Sequence, residues 1–239
     1  MNDTFLFVKV AINQPYFFPY IGYFQLIKEV DLFVLADNFQ YPRTGWVNRN
    51  RVSIQGKIQN ISIPVVKSPI DTPISDMKIS SEYRYLSLNE TFRRNFKFNF
   101  ESKHFDEKFS EFSTYSGNNL NQLILISLRS CLDILNIKTQ ITSLTEMQYQ
   151  SDLRGEERII DICKKVGARD YLNLPGGRNL YSSENFLSSE INLNFIEPSF
   201  THYQQSLEVF EPRLSILDLL FTLNLDEITD NHLNNYSRG

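Results

Sequence analysis

The stretch VKVAINQPYFFPYIGYFQLIKEVDLFVLA, residues 8–36, decides the fold. Val8 to Ile12 is an apolar run closed by Asn13-Gln14-Pro15, the pattern of a buried strand entering a loop. From Ile21 to Val30 the apolar residues Ile21, Phe24, Leu26, Ile27 and Val30 recur near helical spacing. Leu32 to Ala36 is again wholly apolar, bounded by Asp31 and Asp37. Strand, loop, helix and strand in so short a span make a βαβ unit, whose parallel strands are buried on both faces and so show no polar alternation. The expected class is α/β: an N-terminal βαβ unit in a mostly parallel sheet, with additional helices and a short hairpin.

Outward from that unit the elements thin. Arg51 to Ile54 and Ile58 to Pro64 flank Gln55-Gly56-Lys57, a hairpin signal. Leu120 to Leu135 and Glu156 to Val166 read as helices; the second starts acidic and ends in lysines, as the helix dipole favours. Thr139 to Thr142, Asp170 to Leu174 and Ile191 to Ile196 read as strands, and Ser215 N-caps a helix running to Leu223. Tyr85 to Phe112 reads as helical and the polar tail from Asn231 as frayed. With no repeat or low-complexity linker, one α/β domain over 1–239 is expected, with residues about 80–150 a mostly helical insertion or subdomain.

Composition narrows the function classes. The 239 residues carry 24 Lys+Arg against 28 Asp+Glu, a formal charge of −4, which argues against a nucleic-acid partner. No apolar run approaches a membrane span, and the N-terminal residues read as a strand rather than a signal peptide, so a cytoplasmic protein is expected. Cys131 and Cys163 lie in helix-patterned segments and read as reduced core thiols. The chain has no zinc-type spacing of His and Cys, no P-loop, no dinucleotide fingerprint and no D-x-D pair of the kind that holds a glycosyltransferase metal. No motif names a cofactor, so the cofactor is left unassigned and no metal ligand is nominated.

Three segments place polar and aromatic residues where strands end, the edge of an α/β sheet at which ligands collect. Gln14, Tyr16 and Tyr23 follow the first strand; Phe17 and Phe18 read as packing. After the second strand come Asp37, the only tryptophan, Trp46, and then Asn48-Arg49-Asn50. An arginine between amides suits a diphosphate or carboxylate, and Trp46 or Tyr16 could stack on a ring. Asp37 stands as a general base or as a turn cap paired with Arg49. The third segment holds Tyr203, Gln205 and Asp218, the last on an apolar helix where a carboxylate needs a partner or a raised pKa. His202 reads as a polar loop residue, and Gly176-Gly177 as a turn or an anion cradle.

The string QPYFFPYIGYFQLIKEVDLFVLADNFQYPRTGWVNRNRV, Gly167-Ala168 followed by Tyr171, the Tyr203-x-Gln205 pair and the LSILDLLF segment together resemble the WbqC-like family, over nearly the whole chain in order. The resemblance implies a place in bacterial surface-polysaccharide (O-antigen) gene clusters and a role in modifying sugars. It puts Gln14, Pro15, Tyr16, Pro19, Gly22, Tyr23, Asp37, Trp46, Asn48, Arg49, Tyr203, Gln205, Ser215 and Asp218 in the motif, and this chain departs from the family in reading LPGGRNLY after its late strand. The expected activity is transfer of an acyl or aminoacyl group to the amine of a nucleotide-linked amino sugar. In that scheme Asp37 or Asp218 is the base, Gln14, Asn48 or Asn50 the carbonyl donor, and a nucleotide-linked sugar or carrier-bound acyl donor the partner. A non-catalytic sugar- or partner-binding scaffold of the polysaccharide assembly machinery and an ATP-using amide ligase are the alternatives. The ligase has the weaker support, because the junction Pro19-Tyr20-Ile21-Gly22 lacks the histidine of ATP-binding nucleotidyltransferase-like folds.

Overall fold

A computed structural model describes residues 9–83 and 107–238. Strand β1 (Lys9–Asn13), helix α1 (Ile21–Glu29) and strand β2 (Leu32–Leu35) form the βαβ unit, with β1 and β2 parallel and Val10 opposite Leu32. The apolar runs of these strands alternate after all, toward two different cores. Val10, Ile12, Leu32 and Val34 enter one, while Ala11, Phe33 and Leu35 enter the other. Such strands need helices on both faces. Helices α1 and α3 (Leu120–Ile134) cover the face of Ala11, and α4 (Gly155–Lys165) covers the face of Val10 through Ile159, Ile162 and Cys163.

Six strands make the main sheet, in the order β5-β2-β1-β6-β7-β8. Here β5 is Gln140–Ser143, β6 Asp170–Asn173, β7 Asn192–Pro198 and β8 Tyr236–Arg238. All pairs are parallel except β7 with β8. The chain steps outward from β1 through β2 to β5, then crosses under α4 to lay β6 on the other side of β1. This reversal makes the β1/β6 boundary the topological switch point, where doubly wound sheets open a crevice.

The hairpin forms beside the sheet, β3 (Arg49–Ile54) with β4 (Lys57–Ser62). Its two-residue turn has Gln55 at φ 51° and Gly56 at φ 77°, the paired positive angles that match strand twist. Helix α2 (Ser110–Thr114) precedes α3; most of the Tyr85–Phe112 helix expected from sequence lies outside the described residues. A short helix, α5 (Ser183–Leu187), precedes β7. Helix α6 (Ile216–Thr222) begins where Ser215 caps it, Oγ accepting from the Leu217 N–H, and α7 (Leu225–Ile228) follows. Both cysteines are buried and reduced, as read from sequence.

The tail is a correction: instead of fraying from Asn231, the chain adds β8 to the sheet edge. Buried Gln25 on α1 donates to the carbonyls of His232 (2.6 Å) and Asn235 (3.0 Å). Glu29 then takes Tyr236 Oη at 2.6 Å and pairs with Arg238 and Lys9. These contacts dock the polar tail, so its polarity misreads as fraying. Among the described residues no helix is long and apolar enough to cross a membrane.

Candidate functional site

Both strands at the switch point end in the same tripeptide pattern, Asn13-Gln14-Pro15 and Asn173-Leu174-Pro175. In each, the asparagine side chain folds onto the next residue: Asn13 Oδ1 accepts the Gln14 N–H at 3.1 Å, and Asn173 Oδ1 accepts the Leu174 N–H at 2.8 Å. The proline that follows has no N–H to bond and fixes φ, so both chains leave the sheet at once. A cleft opens between the two exits, with two lobes that share Asn13, Gln14, Tyr20 and Leu174.

The larger lobe, about 460 Å³, runs from Asn173 along the 3₁₀ turn Pro175–Leu180 to Tyr181 and Arg213. Among the described residues Arg213 is the only charged one lining it, and it forms no ion pair with any of them. Its guanidinium lies 5.4 Å over the Phe200 ring, and Phe200 also backs Tyr20 at 6.1 Å. Close approach requires glycine at 177: a Cβ there would sit 2.5 Å from Asn173 Nδ2 and 3.1 Å from the Tyr181 ring. Gly22 plays the same part beneath Tyr20, where a side chain would collide with the ring and with Pro198.

The smaller lobe, about 300 Å³, is lined by Tyr16, Tyr20, Tyr23, Trp46 and Pro42. Trp46 is 46% exposed and rests one face near Arg51, whose guanidinium is 5.5 Å from the ring centroid. Tyr16 and Tyr23 meet edge to face at 6.0 Å, and Tyr23 Oη donates to the Gln14 carbonyl at 2.9 Å. Burial pushes the hydroxyls of Tyr16 and Tyr23 well above their ordinary range, and that of Tyr20 upward as well. At neutral pH they are therefore neutral donors, not bases.

Of the residues singled out from sequence, Gln14, Tyr16, Tyr23 and Trp46 line the smaller lobe, and Gln14, Gly176 and Gly177 the larger. Several of the others brace the loops around the cleft. Arg49 Nε donates to the Gly45 carbonyl at 2.8 Å, closing the loop that carries Trp46, and Asn48 Nδ2 donates to the Ile63 carbonyl. Asn50 donates to the carbonyls of Phe17 and Phe18, and Ser215 Oγ donates to Phe18 as well. They brace a turn in which Phe18 takes φ 42°, costly for a bulky side chain. Gln205 clasps the Glu211 backbone at both its N–H and its carbonyl, 2.9 Å each.

The two aspartates stand apart from the cleft and from each other. Asp37, 1% exposed, accepts from Asn121 Nδ2 and from the Thr145 N–H, both at 3.0 Å, and so ties β2 to α3 and to the turn after β5. It does not pair with Arg49. Asp218 is fully buried, taking the Ser53 N–H at 2.6 Å and the Tyr203 hydroxyl at 2.7 Å. Burial raises its pKa, and those two hydrogen bonds pull it partway back. His202 stacks on Phe210 at 4.1 Å.

Sequence reasoning passed over Asn13, Asn173, Tyr181 and Arg213. The repeated Asn-x-Pro at two strand ends was a visible signal for the first pair. Arg213, lone between Pro212 and Leu214, offered none. Among the described residues no three His, Cys, Asp or Glu side chains gather where a metal ion could be held.

A family model matches residues 14–230, from the first residue past β1 almost to the tail, and the chain belongs to the WbqC-like protein family. It is also 29% identical over 226 residues to an uncharacterized Mycobacterium tuberculosis protein, Rv1507c, a match covering 91% of this chain and 95% of that one. No solved structure matches it.

Proposed function

We propose that this WbqC-like chain binds a nucleotide-linked amino sugar in the switch-point cleft and transfers an acyl or aminoacyl group to its amine, within bacterial surface-polysaccharide biosynthesis. One observation carries the reading. Among the described residues, a crevice at the carboxyl ends of parallel strands is lined by a single cation that none of them pairs, several carboxamides and a wall of tyrosine and tryptophan. That lining matches an anionic group joined to rings. In the transfer, the amine nitrogen bonds to the acyl carbon, the bond to the donor's leaving group breaks, and the amine proton leaves with that group or with water. In this reading Gln14, which lines both lobes, donates its carboxamide N–H to the carbonyl oxygen as charge builds there.

Asp37 and Asp218 act on this scheme through the scaffold, since each already spends both carboxylate oxygens on hydrogen bonds. Nucleophile activation then falls to the substrate, whose amine reacts once deprotonated. The rate should rise with pH along the titration of the amino sugar, not along that of a protein carboxylate.

A second reading, a non-catalytic binder in polysaccharide assembly, is favoured by one feature. Among the described residues, no carboxylate, imidazole or thiol lines either lobe. A single experiment separates the two. The protein is screened by thermal shift against UDP- and dTDP-linked amino sugars, and each hit is then incubated with acyl-CoA and aminoacyl donors and read by mass spectrometry. A ligand near 100 times its Kd stabilises by about 2.7 kcal/mol. A stabilising sugar that gains an acyl mass supports transfer; one that stabilises and is never modified supports the binder; no stabilisation by any nucleotide sugar overturns transfer to such a sugar and favours the scaffold.

A further inference from the structure

The two lobes differ in chemistry as well as size, and the difference fixes how a ligand would lie. Among the described residues Arg213 is the one charge in the larger lobe, whereas the smaller lobe presents no charge, only rings, prolines, aliphatic residues and the neighbouring carboxamides. Arg213 is also held in an unusual way. Its φ is 63°, a left-handed conformation that a long side chain adopts at some cost. The chain on either side is pinned: Gln205 clasps Glu211, Glu211 pairs with Arg51 at 3.1 Å, and the Ser215 N–H donates to the Arg51 carbonyl at 2.9 Å. Arg51 in turn rests on Trp46. One short run of contacts thus sets both the cation of the first lobe and the indole of the second.

We propose that the cleft is a bipartite site in which Arg213 takes the diphosphate of a nucleoside diphosphate while a ring of the same molecule stacks against Trp46 and Tyr16. This orientation deepens the reading given under Proposed function and rests on it for the ligand's class. The shared wall at Gln14 and Tyr20 makes the lobes continuous, so one molecule spans them. Nucleotides lie in this manner across the crevices of doubly wound sheets.

The test uses the whole chain and two probes, inorganic pyrophosphate and UDP. Trp46 is the only tryptophan, so intrinsic indole emission reports the smaller lobe alone. Arg213→Asn removes the charge and keeps the backbone angle, because asparagine tolerates the left-handed region; Arg213→Lys keeps the charge as a control. Trp46→Phe trims the ring wall. Calorimetry is expected to show pyrophosphate weakened at least about tenfold by Arg213→Asn, less by Arg213→Lys, and unchanged by Trp46→Phe. Pyrophosphate leaves Trp46 emission unaltered. UDP shifts that emission and loses affinity in both neutral variants.

Pyrophosphate that binds equally well to Arg213→Asn, or not at all to the wild-type protein, overturns the orientation, even where a UDP-linked amino sugar still binds and is acylated. UDP binding with silent Trp46 emission also overturns it. If both probes behave as expected and no amino-sugar nucleotide is ever acylated, the orientation stands and the transferase reading falls.

Discussion

Asp218 and Arg213 lie five positions apart and meet opposite fates. Asp218 is fully buried, with each carboxylate oxygen accepting a hydrogen bond; Arg213 faces a cleft and pairs with no described carboxylate. In a folded protein a polar group that is buried and saturated holds structure, because removing it strands its partners. A polar group left unsatisfied at the wall of a cavity is available to a ligand. A similar division runs through much of the motif set: Asp37, Asn48, Arg49, Asn50 and Gln205 bond to backbone and Tyr203 to Asp218, while Gln14 and Trp46 face the cleft. Tyr16 and Tyr23 line the cleft but also donate, to Asn50 Oδ1 at 3.4 Å and to the Gln14 carbonyl at 2.9 Å.

The largest effect that could break this comparison is at Asp218. Asp218→Ala leaves the Ser53 N–H and the Tyr203 hydroxyl without their partner and is expected to cost about 3 kcal/mol in chemical denaturation. A loss under about 0.5 kcal/mol would remove the structural role. Its pH dependence sharpens the point. Burial raises the folded pKa, so the folded state holds this proton more tightly than the unfolded chain. The stabilisation is full below the unfolded carboxylate value, about 3.9, and is lost as pH rises through the folded value. Asp218→Asn lacks that loss, so wild-type stability minus variant stability is expected to fall as pH climbs from about 4. A difference that stays flat contradicts the assignment.

Asp37→Ala comes next, at about 2 kcal/mol, since it frees the Thr145 N–H and Asn121 Nδ2. Unfolding with a normal midpoint would show that Asp37 is not a scaffold residue. Gly177→Ala is expected to cost about 1 kcal/mol, as the new methyl drives Asn173 and Tyr181 into the larger lobe, and to weaken any ligand there. The smallest stability change belongs to Arg213→Asn, within about 0.5 kcal/mol of wild type. A large drop in its melting temperature would place Arg213 with the scaffold and dissolve the comparison.

The fold was legible for a physical reason: strands covered on both faces must be apolar throughout, and β1 and β2 announce themselves as such runs. The edge strand β8 was not. Tyr236, Ser237 and Arg238 show no strand pattern, and their place is set by Glu29 and Gln25, far away in sequence. The aromatic wall was legible too, because a tryptophan beside tyrosines near a strand end is an uncommon grouping. Which way each polar side chain turns was hidden. Asp37 follows β2 as a ligand-binding acid would, yet faces inward because Thr145 after the neighbouring strand offers its N–H there. Arg213 is aimed by a loop whose closure depends on Gln205 and Glu211, and no local pattern shows that closure.

Hydrogen–deuterium exchange with and without a saturating UDP-linked amino sugar tests the location of the site most directly. The account predicts protection in three peptides, those spanning residues 13–20, 42–47 and 173–181, with the α2–α3 surface around residues 110–141 unchanged. Protection confined to 110–141, or none near residues 13–20 and 173–181 at saturation, would contradict a ligand site at the β1/β6 switch point.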